Sequence, residues 1–361
     1  MSQVSWSRDR DGVSEGTVTI TGEAACGEQR DFIRTIAEKR HELVIFRGDD
    51  RVWEGPIFRI GDEGDRITIF AKDVTAYLYG TMLSKPWDNR YGSARGIVPM
   101  TTRFEEIINY ELVTSRVGRT IGGGTQAFPA WESLNPAANI LPHLQVHHFI
   151  NEAETAAYTQ AFETNIGRHL ENAARTSGID FTAVGRAIHL WDTSRAIGRI
   201  RTLTEADFFG NVIVTGYGAD HSQAAYVMGQ DGLYGEAINP EYLDYYGPWT
   251  TSFTAYNEEG TEAPTVGALN SQAARNVSGR SPVPVEVRVP DNSSIRLSET
   301  LRISDLVPGV QMPLRATLNA RARNQVQKLD HLNVVENAKG EEIKVTLSPA
   351  NSPDSDEEEE E

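Results

Sequence analysis

Three groups of residues have the types and spacing that could support chemistry, and the first lies near the N-terminus. Gly12-Val13-Ser14-Glu15-Gly16 matches the G-x-S-x-G pattern that presents a serine nucleophile. That pattern works when a strand precedes the serine and a helix follows it. Here the motif runs directly into residues 17–21 (TVTIT), whose alternation of valine and isoleucine with threonine predicts a strand. We therefore interpret the motif as a turn.

Histidines form the second group, in the string HLQVHH. His143 and His147 have the i, i+4 spacing that would place two rings on one side of a helix, where they could bind a metal. Pro142 precedes them, and no glutamate follows in the H-E-x-x-H arrangement, so His143, His147 and His148 are interpreted as loop or interface residues. The glycine triplet at 122–124 lacks the strand, helix and lysine of a phosphate-binding loop. The sequence predicts no metal site and no cofactor.

The third group is a pair of aspartates, Asp180 and Asp192, which flank a predicted hairpin. Paired carboxylates catalyse bond cleavage in glycosidases, but each of these positions is more typical of a turn or cap residue. No set of nucleophile, base and oxyanion donor can be assembled from the sequence. The prediction is a protein with no catalytic residue, which is not an enzyme.

Residues 241–254 are dense in aromatic side chains that could bind a ligand. Such rings can stack on sugars, although a cluster of this size more often belongs to a core or a subunit contact. The core or subunit contact is the preferred interpretation, and a glycan-binding face is the alternative. The rings are those of Tyr242, Tyr245, Tyr246, Trp249 and Phe253.

Composition limits the classes of function. The 361 residues carry a formal net charge of −17, and seven of these charges lie in the acidic end at residues 354–361, which leaves −10 for the rest. A negative body repels nucleic acid. The single cysteine, Cys26, excludes an internal disulfide framework. The N-terminus lacks the apolar segment of a signal peptide, and no apolar run approaches membrane-spanning length. We expect a protein made in the cytoplasm that stays soluble or joins an assembly.

The elements that must position these side chains are mainly strands. Residues 43–47, 51–60 and 66–71 predict a tight three-stranded meander, followed by a short helix that Asp73 could cap. Residues 151–178 predict the clearest helix, and residues 179–191 a hairpin turning at Gly185-Arg186. Further strands are predicted at 212–238 and from residue 283 onwards, with a helix at 265–276 between them.

Three short blocks then follow one another in a particular order. The first is RVWEGPI at 51–57 with ITIFAKD at 67–73 and Tyr77-Leu78. The second comprises LENA at 170–173, SGIDFT at 177–182, Gly185-Arg186 and Trp191. The third comprises LVPGV at 306–310, LNV at 332–334 and VTLSP at 345–349. In this order they resemble the tail-hub (baseplate hub) proteins of long-tailed phages, and the minor tail proteins of actinobacterial phages most closely.

This resemblance implies an α+β, mainly β fold with two small β-barrels of the tail-tube kind and a mixed α/β insertion. The implied domains are a first barrel at 1–90, a helical and mixed insertion with a hairpin at 91–200, and returning strands with a connecting region at 201–280. A second barrel at 281–349 and a disordered acidic tail at 350–361 complete the expected organisation.

The resemblance also implies a structural function. A homotrimer would place six barrels in a ring that joins the tail tube and the distal tail protein to the tail tip and fibres, with the tape measure protein as a further partner. The protein would lie at the tail tip of the virion, take part in host attachment and genome ejection, and let phage DNA pass without membrane insertion. An acidic lumen would keep DNA from sticking, and a basic inner surface would contradict that idea. The alternatives are a tail-associated cell-wall hydrolase and a host-receptor or glycan-binding module.

Overall fold

Antiparallel strands from the two ends of the chain meet in one large sheet in this computed structural model, and the segments between them form two smaller units. The structure describes residues 3–21, 33, 35–64, 66–83, 87, 98–113, 141, 143–149, 165–177, 179–193, 195–255, 265–289, 293–318 and 321–349. Several predicted features lie outside these residues: the helix segment at 151–164, the glycine triplet at 122–124 and the acidic tail. Their structure stays a prediction.

Short strands make up most of the described chain. In the first half they are β1 (Gln3–Asp9), β2 (Glu15–Thr21), β3 (Glu42–Arg47), β4 (Asp50–Glu63), β5 (Arg66–Lys72), β6 (Gln145–His148), β7 (Ile179–Val184) and β8 (Ala187–Asp192). In the second half they are β9 (Phe208–Phe209), β10 (Ile213–Gly216), β11 (Ala224–Met228), β12 (Tyr234–Ile238), β13 (Thr250–Thr254), β14 (Val285–Arg288), β15 (Ser294–Ile295), β16 (Gln311–Leu318), β17 (Arg321–Asn337) and β18 (Gly340–Pro349).

Helices are fewer and lie mainly between the two ends. They are α1 (Ala76–Tyr79), α2 (Met100–Ile108), α3 (Ile166–Ser177), α4 (Leu243–Tyr246) and α5 (Val266–Arg280), and a π-helical turn, Asn109–Val113, extends α2. Among the helices in the described ranges, none has the length and apolar character needed to traverse a bilayer. The mainly β, α+β fold predicted from the sequence is confirmed.

The large sheet joins the two ends of the chain. Its ten strands follow the order β10-β14-β18-β17-β1-β2-β5-β4-β3, and β16 pairs with β17 off this path. The central contact is the antiparallel pairing of β1 with the second half of β17, in which Gln3 lies opposite Asn337 and Asp9 opposite His331. The strands expected in the first and second barrels are therefore continuous through β1 and β17. The residue boundaries of the predicted domains stay predictions.

A shared core lies beneath this sheet. It contains side chains from the N-terminal strands, such as Trp6 and Trp53, and from the C-terminal strands, such as Leu332 and Ile343. Burial of each large apolar side chain contributes about 1.5–3 kcal/mol, so the two ends stabilise each other. Neither end has a core of its own within the described residues.

The insertion has a second core. Helices α2 and α3 pack against β7 and β8 through side chains that include Phe104, Leu170 and Phe181, and Val74 and Leu78 reach this core from the turn and helix α1 after the first meander. The predicted hairpin is confirmed, with β7 and β8 paired from Ile179–Asp192 to Val184–Ala187. Of the predicted long helix, α3 begins at Ile166 in the structure. The insertion thus lies directly against the strands that precede it.

A third unit is made of α5 and a small sheet of order β12-β11-β13. Leu269, Ala273 and Val277 of α5 pack on Ala225 and Val227 of β11. Thr265 caps the helix, since its hydroxyl accepts a hydrogen bond from the Ala268 amide at 3.2 Å. The predicted helix at 265–276 is therefore present, and it continues to Arg280.

Candidate functional site: the buried junction between the sheet and the insertion

Ser14, the serine of the G-x-S-x-G string, is fully buried. It leads directly into β2 rather than into a helix, which confirms the interpretation of the motif as a turn. Its hydroxyl donates a hydrogen bond to the Asp73 carboxylate and accepts one from Trp53 Nε1 at 3.3 Å. A nucleophile needs access to substrate and a base to take its proton. Ser14 instead stabilises the first meander.

Asp73 closes this meander by accepting hydrogen bonds from two segments. The amides of Ser14 and Thr75 donate at 2.9 Å each, and both hydroxyls donate as well. Burial raises the pKa of Asp73 to about 6, against the opposing effect of these hydrogen bonds. Helix α1 begins at Ala76 and Thr75 makes no side-chain cap bond, whereas the Asp73 carboxylate accepts the Thr75 amide and its carbonyl accepts the Ala76 amide, so Asp73 caps this turn as predicted. Asp73 ties the end of β5 to the turn before β2.

The histidines do not form the helical pair that their spacing could have produced. His147 and His148 lie in strand β6, which pairs in parallel with β8. His148 Nδ1 lies 2.8 Å from a Glu105 carboxylate oxygen, and the His147 ring lies 5.3 Å from the His189 ring. His143 lies in the turn before β6. No cluster of three or more potential metal ligands exists among the residues for which coordinates are described.

Asp180 is a buried carboxylate in the middle of an ion cluster, so its predicted role as a turn or cap residue is wrong. It lies inside β7, where Lys328 Nζ contacts its Oδ2 at 2.8 Å. Arg10 Nη1 lies 3.4 Å from Oδ1, and the Thr193 hydroxyl donates to the same oxygen at 2.6 Å. We call Arg10, Asp180, Lys328 and Asp330 the junction cluster. Asp192, the other aspartate of the sequence pair, lies at the end of β8 and is not a member of this cluster.

The junction cluster joins three parts of the chain at an irregularity in β17. The pairing of β17 with β18 shifts between Leu329 and His331, which leaves Asp330 as an extra residue in the strand. Arg10 binds this residue twice: its amide donates to the Asp330 carbonyl at 2.9 Å, and its Nε donates to Oδ1 at 2.7 Å. Asp180 of the insertion strand β7 binds Arg10 and Lys328, and so attaches the insertion to the same point. The end of β1, the bulge in β17 and the first insertion strand are thereby held at one point.

Electrostatics keeps Asp180 ionised. Burial alone would raise the pKa of its carboxyl, but the Lys328 ammonium and the Arg10 guanidinium outweigh burial and lower the pKa to about 2. A buried charge is tolerated when it is paired and hydrogen-bonded, and expensive when it is not. The junction cluster is therefore a structural ion network whose members depend on one another.

A second ion cluster holds the tip of the insertion hairpin. Arg186, in the turn between β7 and β8, donates from Nε to the buried Glu54 carboxylate and pairs with Glu42 at 2.9 Å. Arg51 binds the other oxygen of Glu54 at 2.7 Å. The Tyr77 hydroxyl donates to Glu42 at 2.6 Å. We call this set the tip cluster, and it fixes the hairpin on β3, β4 and α1.

Two further contacts cross the core: one joins the two ends of the chain, and the other joins the insertion to the C-terminal end. The buried Arg8 guanidinium donates to the carbonyls of Val52, at 2.7 Å, and Leu306, at 3.0 Å, and burial lowers its pKa to about 10. Trp191 packs over Gly309, where an added Cβ would lie 2.2 Å from the indole ring. Gly309 also has φ +91, which favours glycine. The close packing of Trp191 on Gly309 explains why the second sequence block contains a tryptophan and the third a glycine at these positions.

Of the aromatic cluster of residues 242–253, Phe253 packs against the core between α5 and its sheet, and the other rings lie nearer the surface. Tyr245 is 81% exposed and Trp249 is 61% exposed. Their neighbour Tyr246 is half-buried, and its ring lies 4.7 Å from that of Tyr245 and 4.4 Å from the His221 ring. The core part of the preferred interpretation is therefore wrong for Tyr245 and Trp249 but holds for Phe253, whereas a subunit contact and a glycan face remain predictions.

The sequence and the fold were each compared with those of known proteins. No sequence profile of a known protein family matches the chain, and no curated protein matches it either. The fold is nevertheless similar to solved structures. A 43 kDa tail protein of prophage MuSo2 from Shewanella oneidensis aligns with a TM-score of 0.60 at 10% identity, over 98% of this chain and 95% of that one.

Two further crystal structures have the same architecture. Prophage tail protein gp18 from Listeria monocytogenes aligns with a TM-score of 0.56 at 9% identity, over 98% of this chain and 89% of that one. A tail protein from Neisseria meningitidis aligns with a TM-score of 0.55 at 10% identity, over 96% and 92%. From its first strand to its last, this chain has the fold of these phage tail proteins.

Proposed function

We propose that this chain is a structural protein of a phage tail, and that copies of it assemble as a homotrimeric hub ring at the tail tip. The fold is shared with phage tail proteins along almost the whole of both chains. The candidate chemical groups support a structural role, because Ser14 and Asp180 are buried in hydrogen-bond networks that hold segments together. The hub would join the tail tube and distal tail protein to the tip and fibres, with DNA passing through its bore.

The open ends of the large sheet carry the ring proposal. Within the described part of the chain, β3 and β10 each pair with only one neighbouring strand. Both present an exposed apolar side chain, Phe46 at β3 and Ile213 at β10. Unpaired strand edges with apolar side chains favour association with another chain, and a ring leaves no edge uncovered. Each protomer would cover the edges of its neighbours.

The ring predicts a mass that depends on these edges. We expect the purified chain to sediment as a trimer, and Phe46→Asp or Ile213→Asp to give a folded monomer, because a buried carboxylate at the contact is costly. Analytical ultracentrifugation measures the mass, and circular dichroism checks the fold. Phe149→Asp, at an exposed residue of the insertion, is the matched control and should stay trimeric. A monomeric unmodified chain would contradict the ring.

Glycan binding is the second candidate, because the structure exposes the rings of Tyr245 and Trp249. Exposed aromatic faces can stack on sugar rings. If the tail binds host polysaccharide through this cluster, Trp249→Ala should reduce binding of the purified chain to host cell-wall material at least about tenfold, a loss of about 1.4 kcal/mol. The mass of the assembly should not change. Equal binding by Trp249→Ala and the unmodified chain would exclude this role for the cluster.

A further inference from the structure

The first part of β17 extends beyond the strand that covers one of its edges. Strand β17 pairs with β16 from Arg321 onwards, whereas its pairing with β18 ends where Gln327 lies opposite Pro349. Residues 321–326 of β17 therefore project with residues 313–318 of β16 as a two-stranded ribbon, which we call the arm. No described strand pairs with β17 along the edge that β18 leaves, so one edge of the arm is open.

The open edge presents backbone hydrogen-bonding groups. On the β16 side, the Leu329 amide donates to the Val310 carbonyl at 3.0 Å, and the Leu329 carbonyl accepts from the Gly309 amide at 2.8 Å. Because backbone groups alternate between the two edges of a strand, the even-numbered residues before Leu329 direct theirs to the open edge. In the arm these are Ala322, Asn324 and Val326. An edge of this kind can accept a further strand.

The chain itself provides the strand that is nearest to this edge. Strand β18 is antiparallel to β17 and ends at Pro349, at the position where the open edge begins. If β18 continued in the same register, Ala350 would lie opposite Val326 and Asp354 opposite Ala322. Neither a turn nor a linker is needed for this continuation. Residues 350–361 are therefore the segment of the chain that can reach the edge most directly.

The prolines near the end of the chain fit such a continuation. On the side of β18 that faces β14, the Val345 carbonyl accepts a hydrogen bond from the Val289 amide at 3.2 Å. Odd-numbered residues of β18 therefore direct their backbone groups away from β17, and even-numbered residues direct theirs toward it. Pro349 and Pro353 both have odd numbers. Each lacks an amide hydrogen only on the side away from β17, where a strand tolerates proline.

Charge along the arm favours the same segment. Residues 315–329 contain three arginines, one lysine and no acidic residue, in a chain with a net charge of −17, whereas residues 354–361 carry seven carboxylates. In the continued register the first of these carboxylates, that of Asp354, belongs to a residue placed between Arg321 and Arg323 on the neighbouring strand. Opposite charges on neighbouring strands attract each other. Pairing with the arm of a second copy would instead bring arginines against arginines.

We infer that the acidic tail adds a strand to the arm: residues 350–354 pair with residues 322–326 of β17, and the carboxylates that follow lie beside the arginines of the arm. The contact is made within one chain, so it does not depend on the proposed hub ring. Composition alone predicts a disordered tail, because the tail cannot bury apolar surface. Backbone pairing and charge provide the order instead. The added strand covers an edge that would otherwise be open to other chains.

A disulfide tests the register. In a Cys26→Ser background, Asn351→Cys is combined with Gln325→Cys, which the continued register places opposite each other in a pair without mutual hydrogen bonds, the closer kind of cross-strand pair. We expect oxidation to link the two positions within one chain, as read on a denaturing gel. Asn351→Cys with Asn324→Cys is the matched control and should link at least about tenfold more slowly, because a shift of one residue puts the side chains on opposite faces.

Two results would overturn the inference. A disulfide-linked dimer from Asn351→Cys with Gln325→Cys would show that the open edge takes the tail of a second copy. Equal rates of linking for the two cysteine pairs would show that the tail has no fixed register on the arm.

Amide hydrogen exchange tests the backbone pairing without a cross-link. The amides of Ala322 and Asn324 should exchange at least about tenfold faster in Ser352→Pro than in the unmodified chain, because this proline removes an amide that faces β17. Asn351→Pro is the matched control, since its amide faces away, and should leave exchange unchanged. Equal exchange in all three chains overturns the inference. Slow exchange in an unmodified chain that sediments as a monomer supports the tail contact and contradicts the ring alone.

Discussion

Replacing Gly55 with alanine should destabilise the protein by about 3 kcal/mol or more, among the largest effects of any single methyl group in the chain. An added Cβ would lie 1.8 Å from the Lys72 carbonyl oxygen and 2.6 Å from the Asp73 Cα. Both obstacles are backbone atoms of β5 and its end, which cannot rotate away. The strands β4 and β5 would have to separate where Asp73 ties the meander together. Chemical denaturation of the purified variant measures the loss.

Gly61→Ala is the matched control for this prediction, because Gly61 lies in the same strand. Its added Cβ would have the Thr68 carbonyl oxygen as nearest atom, at 3.9 Å, which is ordinary van der Waals contact. We expect a change within about 1 kcal/mol, in the stabilising direction, because alanine restricts the unfolded chain more than glycine does. Equal unfolding midpoints for Gly55→Ala and Gly61→Ala would contradict the close approach of β4 and β5.

Removing the Asp180 carboxylate should cost about 3–5 kcal/mol, the range found when one member of a buried ion pair is removed. In Asp180→Ala, Lys328 loses its 2.8 Å partner while its side chain stays 1% exposed, and Arg10 loses one of its carboxylates. The insertion should loosen from the sheet as well. Denaturant unfolding gives the free energy, and limited proteolysis reports whether β7 and β8 become accessible first.

Glu341→Ala provides the contrast. Its carboxylate pairs with Arg47 at 2.8 Å, but the Arg47 side chain is 43% exposed and water screens the pair. Exposed pairs contribute about 0–1 kcal/mol, so this variant should unfold almost like the unmodified protein. If Glu341→Ala and Asp180→Ala lose equal stability, the buried junction cluster contributes no more to stability than an exposed ion pair does.

The stability of the protein should depend on the ionisation of Asp180 at acid pH. The pKa of Asp180 is about 2 in the folded protein and close to 4 in an unfolded chain. The unfolded state therefore binds more protons between these values, and stability falls as pH decreases through this window. The contribution is complete above about pH 4. In Asp180→Asn the loss of stability between about pH 4 and 2 should be smaller by the share that Asp180 contributes.

Local sequence patterns predicted much of the fold because they depend on neighbouring residues. The meander, the β7–β8 hairpin and the final hairpin at residues 337–340 each consist of strands joined by short turns, and alternation with turn residues marks them. Strand β1 was not predicted, since its sequence QVSWSRD is mostly polar. The pattern was nevertheless present: Val4, Trp6 and Arg8 alternate toward the core, and the third position is a buried arginine.

The junction cluster could not be predicted in the same way. Arg10, Asp180 and Lys328 are far apart in sequence, and a local pattern does not say which long-range strands pair. Asp180 also looked like a turn residue because a hairpin followed it, whereas in the structure β7 is buried on both sides. A charged residue inside an otherwise apolar strand was the available signal. It indicates a partner charge elsewhere but does not identify that partner.

Strand β17 has a mechanical consequence. Its 17 residues extend about 57 Å. The first half pairs with β16, the second half pairs with β1, and β18 pairs with β17 from Gln327 to Asn337. Tension applied to one end of the sheet would travel along a single covalent backbone and would meet no linker on the way. If the chain forms the proposed ring, β17 would transmit strain directly between the two ends of the sheet, and the bulge at Asp330 is the point at which it would bend first.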